Sequence, residues 1–321
     1  MQDARIGEGV RVLLLGSGKA GHEINAVGVA EALGAPYELK RVNPRRPFLW
    51  MSPFGPVDPR EAALFEPPLP DIVLASGRVT VPYLRAFKRR GVFAVFLQDP
   101  RFARASMDLI WVPEHDRHRG PNVIATLTSP HPFSARRLAA ARAAPDARLA
   151  ALPAPRCAVV LGGPSGAQHF TAGDLARMTE AVRAIVGQGF SIMATPSRRT
   201  PPELVAAVRQ GLGDALGFVW DGKGDNPYAS ILALADAVLV TGDSANMVGE
   251  ATATGAPVHV FEPSGGDAGK LAQGIDALER LGAVRRFAGR IERFAYEPID
   301  SSRVIAAEIA GRFARARAAA A

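Results

Sequence analysis

At 321 residues, 48% of them hydrophobic and 21% charged, the chain has material for two hydrophobic cores and lies outside the composition of disordered proteins. Its net charge of +7 suits phosphorylated or anionic partners, but the arginines fall in mixed stretches with no aromatic-interleaved basic module, so nucleic acid is not an expected partner. The single cysteine, Cys157, excludes an internal disulfide and a cysteine-rich zinc site and points to a reducing cytoplasm, and no run approaches the roughly 18 apolar residues of a membrane span.

In chain order, VRVLLLG at 10–16 predicts a strand buried on both faces of a parallel sheet, too short for a signal sequence. The helix HEINAVGVAEALG follows, with Gly34 suited to its C-terminal cap. Further strands are predicted at DIVLAS (71–76), FAVFLQD (93–99) and DLIWVP (108–113), with the helix VPYLRAFKRRG between the first two. From 130 to 155 the pattern gives way to an Ala- and Arg-rich stretch. The grammar then restarts with CAVVLGGPSG, the helix DLARMTEAVRAIVGQG, the strand FSIMATPS, the helix PPELVAAVRQGLG and the segment DAVLVTGDSANMVGEATATGAPVHVFEP. The expected division is 1–145 and 146–300, each a Rossmann-like parallel-sheet domain. A helix at 301–321 is expected to pack back on the first.

The segment Gly16 to Gly21 fits G-x-G-x-x-G between a strand and a helix, where Gly18 and Gly21 let the backbone approach an anion and the helix N-terminus favours negative charge. No tyrosine has a lysine four residues on, and Lys19 does not sit in a Walker A loop, so short-chain oxidoreductase and P-loop kinase chemistry are set aside. His22, in the first turn of the following helix, is held neutral there and is a candidate base. Asp99, after a buried strand, is the alternative base.

In the second half, Gly162, Gly163, Ser165 and Gly166 again follow a buried strand and are candidates to present N–H groups to phosphate. Ser197, Arg198 and Arg199 lie past the next strand, where paired arginines suit phosphate oxygens. Asp243 or Ser244 can cap the helix that follows, leaving the amides of Ala245 and Asn246 for a diphosphate, while Glu250 is placed to accept from a ribose. Glu114, His115 and Asp116 are adjacent and lack metal-ligand spacing, so no metal site is expected. RVNPRRPFLWMSPFGP at 41–56 joins arginines to Phe48, Trp50, Met51 and Phe54, a mixture found in buried loops and also at membrane interfaces.

Taken together, GSGKAGHEINAVGVAEALG, SGRVTVPYLRAF, QDPR, LGGPSG, SRRTPPEL and NPYASILALADAVLVTGDSANMVGEATATGAPV resemble the elongated-mitochondria (ELM-type) fission protein family and its bacterial relatives. The resemblance spans about residues 11 to 262. It implies a glycosyltransferase-B-like fold of two Rossmann-like domains with an interdomain cleft. Plant members are linked to mitochondrial fission through recruitment of a dynamin-like GTPase, and bacterial members carry sugar-nucleotide labels. The Ala- and Arg-rich composition points to a bacterial chain. A more distant similarity is to the N-acetylglucosaminyltransferase of peptidoglycan synthesis, with Gly18 to His22 and Ser244 to Glu250 as the matching stretches.

Two readings follow. In the first, a nucleotide-sugar, UDP- or GDP-linked and acting as substrate with no cofactor, binds the residues named above, and its sugar passes to an acceptor that is lipid-linked or held at an anionic membrane surface. In the second, a non-catalytic adaptor of the same fold offers its basic aromatic segment to a membrane or a protein partner from the cytoplasm.

Overall fold

The uninterrupted apolar runs become the central strands of two sheets, because a parallel strand covered by helices on both faces has no side chain to spare for water. A computed structural model describes Ile6 and residues 9–165, 168–267 and 269–320. It divides the chain into two units, the first ending at Ser134 and resuming at Asp300, the second spanning Ala135–Ile299.

In the first unit, β1 (Val12–Gly16), α1 (Ala20–Leu33), β2 (Tyr37–Arg41), α2 (Arg46–Met51), β3 (Ile72–Ala75), α3 (Val81–Lys88), β4 (Phe93–Leu97), β5 (Leu109–Pro113) and β6 (Val123–Thr126) precede the boundary. The second unit contains α4 (Ala135–Ala143), α5 (Ala147–Ala150), β7 (Arg156–Leu161), β8 (Gln168–His169), α6 (Ala172–Gly187), β9 (Ser191–Pro196), α7 (Pro202–Leu212), β10 (Gly217–Val219), α8 (Tyr228–Leu234), β11 (Ala237–Thr241), α9 (Ala245–Thr252), β12 (Val258–Phe261), β13 (Gly265–Gly266), α10 (Gly269–Arg280) and β14 (Val284–Arg286). The closing helix α11 (Ser301–Ala320) belongs to the first unit again.

The first sheet runs β2-β1-β3-β4-β5-β6 and the second β10-β9-β7-β11-β12-β14, every neighbouring pair parallel. In each, the chain starts at an inner strand, winds outward, then returns to the other side of its start. The order reverses between β1 and β3 and again between β7 and β11. At such a reversal the loops leave in opposite directions and open a crevice beyond the strand ends, the place where open α/β sheets hold ligands.

One face of the first sheet is sealed by α1 and α11. Val29 and Leu33 of α1 meet Ile305, Ile309 and Phe313 of α11 over Leu14, Leu74 and Phe93, and the Phe93 and Phe313 rings stand edge to face at 5.6 Å. Each such fully buried side chain contributes about 1.5–3 kcal/mol. Polar bonds fix the start of α11: Thr128 and Ser301 hydroxyls lie 2.7 Å apart, and the His131 amide donates to Ser302 Oγ at 2.7 Å. The expected boundary at 145 differs from the observed division, because α4 and α5 pack on α8, where Arg142 Nε donates to Ala233 O at 2.9 Å and the Asp146 amide to Ser230 Oγ at 3.1 Å.

Candidate functional site

In the second unit the turn after β7 is closed rather than open. The Gly162 amide donates to Thr241 Oγ1 and the Gly163 amide to Asp243 Oδ2, each at 2.7 Å, so the N–H groups expected to meet phosphate already have acceptors. The loop after β9 lies on the same turn. Arg199 Nη1 donates to Pro164 O at 2.9 Å and Gly163 O at 3.2 Å, and Thr200 Oγ1 donates to Leu161 O at 2.9 Å. A Cβ on Gly162 would overlap the Asp243 carboxylate, and one on Gly163 the backbone carbonyl of Arg199. The glycines therefore serve close packing between three segments, which corrects the expectation that this turn is itself the phosphate cradle. Ser165 is likewise engaged, its amide donating to Gln168 O at 2.9 Å and its hydroxyl accepting from Gln168 N at 3.1 Å. Gly166 lies outside the described residues. The Ser197 hydroxyl accepts from the Arg199 amide at 3.2 Å and contacts Thr200 Oγ1 at 3.0 Å.

Asp243 is 3% exposed, its carboxyl pushed up by burial, and its Oδ1 has no hydrogen-bond partner among the described residues. Arg199 Nη2 is 3.9 Å from Oδ2, so the pair touches only at the edge of ion-pair distance. Arg198 is exposed and has no carboxylate partner among the described residues.

What stays open at this reversal is the start of α9. Ser244 is its N-cap and accepts from the Met247 amide at 3.5 Å, while the amides of Ala245 and Asn246, within the first turn, have no acceptor among the described residues. Glu250, further along the same helix, is 5% exposed and accepts the Tyr228 hydroxyl at 2.7 Å. Burial pushes its carboxyl up to about 7, and the Tyr228 bond opposes that rise. Tyr228 opens α8, and its hydroxyl holds the one carboxylate buried within α9.

In the first unit the turn after β1 is closed by a carboxylate too. The Gly18 amide donates to Glu23 Oε1 at 3.2 Å, and Arg41 at the end of β2 grips Glu23 through Nε and Nη2, both at 2.8 Å. In a dinucleotide site that strand end carries an acid for the ribose; here it carries arginine, while Glu38 sits mid-strand beside Lys40 at 3.4 Å. Gly21 lies in the first turn of α1. His22 Nδ1 is 3.2 Å from Ser17 Oγ, and burial followed by the charge of Lys19 lowers its pKa, leaving it neutral near pH 7. Gly77, at φ +93°, brings the turn after β3 against this pair so closely that a Cβ would stand 2.9 Å from both His22 Nδ1 and Ser17 Oγ.

Asp99 is not available as a base. Arg104 holds its two oxygens at 2.9 and 2.7 Å, the Arg101 amide donates at 2.9 Å, and the Arg104 bond is the main cause that keeps the carboxyl below its usual range. Among the described residues no group of three or more His, Cys, Asp and Glu is arranged to hold a metal ion.

The family model for mitochondrial fission ELM1 matches residues 20–313, a span that takes in His22, Tyr228 and the whole of α9. The chain belongs to the mitochondrial fission ELM1 family. The mitochondrial fission protein ELM1 of Arabidopsis thaliana is 30% identical over 282 residues, covering 78% of this chain and 64% of that protein, so the family relationship spans a little under two thirds of that relative's length. Among solved structures, a UDP-N-acetylglucosamine 2-epimerase of Methanocaldococcus jannaschii superposes with TM-score 0.52 at 10% identity, covering 97% of this chain and 99% of that one. A putative UDP-N-acetylglucosamine 2-epimerase of Listeria monocytogenes gives 0.52 at 12% identity, covering 96% and 91%. These likenesses establish the glycosyltransferase-B-like α/β fold of this ELM1-family chain.

Sequence reasoning missed Glu23, Arg41, Thr200, Thr241 and Tyr228 as partners of the glycine turns and of Glu250. Only Glu23 had a usable signal. A carboxylate in the first turn of a helix behind a glycine loop is within reach of that loop's amides, because helix N-termini attract anions of their own chain as readily as those of a ligand.

Proposed function

We propose that the second unit binds a nucleoside diphosphate sugar at the start of α9. The observation that carries this reading is the pairing, on one helix at the strand-order reversal, of two unengaged first-turn amides with a buried carboxylate fixed by a tyrosine. The amides of Ala245 and Asn246 would donate to the diphosphate, and Glu250 Oε1 would accept from ribose hydroxyls. Arg198 is free to approach phosphate oxygens, whereas Gly162, Gly163 and Arg199 hold the scaffold. The names of the two epimerases of like fold, which specify UDP-N-acetylglucosamine, make that molecule the first ligand to test.

In the first unit we assign His22 as the base for an acceptor hydroxyl. With Nδ1–H donated to Ser17, Nε2 offers its lone pair. A hydroxyl bound beside Ser17 would pass its proton to that nitrogen.

Thermal unfolding with UDP, GDP and UDP-N-acetylglucosamine tests the reading. A ligand at 100 times its Kd is expected to stabilise the chain by about 2.7 kcal/mol, an effect lost in Glu250→Ala and retained in His22→Ala. A midpoint that no uridine or guanosine nucleotide moves at millimolar concentration removes it.

A further inference from the structure

The first unit carries a surface for which the nucleotide reading has no use. Trp50, Met51 and Phe54 are 72%, 42% and 68% exposed. Apolar area this dense is uncommon on a soluble surface away from an interaction site. The segment is firmly held. Phe54 meets Phe102 edge-on at 4.5 Å, the Phe54 and Gly55 amides both donate to Met51 O at 2.8 Å, and Arg78 Nη1 donates to Ser52 O at 2.7 Å.

The charge around it is mainly basic. Asp58 is taken by Arg45 at 2.8 Å and Asp99 by Arg104 at 2.7 Å, while Glu61, held by the Tyr83 hydroxyl, keeps its charge. Arg46 and Arg101 are exposed, and Arg85 lies over the Phe102 ring at 5.1 Å. None of these three has a carboxylate partner among the described residues.

We propose that this face docks on an anionic phospholipid bilayer. Trp50, Met51 and Phe54 enter the boundary between headgroups and acyl chains, and Arg46, Arg85 and Arg101 meet the lipid phosphates. Three arginines without a carboxylate partner among the described residues flank the aromatic cluster, the complement of an anionic leaflet. Stable peripheral binding takes two signals, apolar insertion and basic attraction, and the patch supplies both. No helix among the described residues is long and apolar enough to cross a membrane, and α2 has only six residues, so insertion is shallow.

Co-sedimentation of the full chain with vesicles of phosphatidylcholine, alone or mixed equally with phosphatidylglycerol, decides the matter. Binding to the anionic vesicles is expected to be about tenfold tighter, and to weaken in high salt. Trp50→Ser with Phe54→Ser should lower it about tenfold, and Trp50→Ser alone, which leaves the Phe54–Phe102 contact in place, should lower it severalfold with the thermal midpoint kept. Arg46→Gln with Arg101→Gln should flatten the salt dependence, while Arg315→Gln, exposed on α11, leaves binding within about twofold. Equal sedimentation of the parent and the Trp50/Phe54 variant reduces the effect to general attraction of a +7 chain and overturns the proposal. So does absence of sedimentation, including the case in which the same substitutions dissolve a dimer of this chain.

Discussion

Glu250→Gln is expected to be more stable than its parent by about 3 kcal/mol at pH 8.5, an advantage that shrinks to under about 1 kcal/mol at pH 5. The sign follows from linkage. Burial raises the folded carboxyl from an ordinary 4.5 to about 7, so the folded state holds its proton more tightly than the unfolded chain. Stability from this group is full below pH 4.5 and is lost as pH rises through 7. Glutamine keeps an acceptor for the Tyr228 hydroxyl and removes the buried charge. His259, depressed by burial to about 4, is present in both proteins and cancels from the difference. Urea unfolding of the two chains at both pH values measures the effect, and parallel pH profiles would mean that Glu250 is not titrating in the fold. The same variant should bind UDP about tenfold more weakly, because a charged acceptor makes the stronger hydrogen bond. A group that destabilises the resting protein at neutral pH and strengthens ligand binding is what the trade between stability and activity predicts for a binding residue.

The second large effect is steric. Gly163→Ala is expected to destabilise the second unit by about 2–3 kcal/mol. Its Cβ would overlap the Arg199 carbonyl, which is backbone and cannot swing aside. Relief requires the 197–200 loop to lift, and with it go the Thr200 bond to Leu161 O at 2.9 Å and the Arg199 bond to Pro164 O at 2.9 Å. Gly187→Ala is the matched control: it ends α6 with nothing within 4 Å of the added methyl, and a gain of about 0.5 kcal/mol is expected from the stiffer chain. Equal denaturant midpoints for Gly163→Ala and its parent would show that the loop gives way without cost.

Local chemistry made part of this fold legible in the sequence. The strands buried on both faces, β1, β3, β4, β5, β7, β9 and β11, coincide with apolar runs, since burial on two sides leaves no polar position to blur the signal. Edge strands were lost for the converse reason: Tyr37–Arg41 reads as a polar stretch because four of its five residues face water. The cap at Ser244 and the carboxylate at Glu250 could be placed because cap and helix spacing are local properties. The closing of the glycine turns could not, because Asp243 lies 80 residues from Gly163 in the chain and Arg41 lies 18 from Glu23, and no local pattern records which of several acids reaches a given amide.

Because α11 returns to the first unit after the whole of the second, the order of synthesis and the order of completion differ. On the ribosome, the apolar face formed by Val29, Leu33 and Phe93 stays wet until Ile305, Ile309 and Phe313 have emerged, by which time residues 135–299 have all they need to close their own sheet. The half translated first is thus finished last, and a nonsense codon that removed only the final helix would injure the beginning of the protein while sparing its middle.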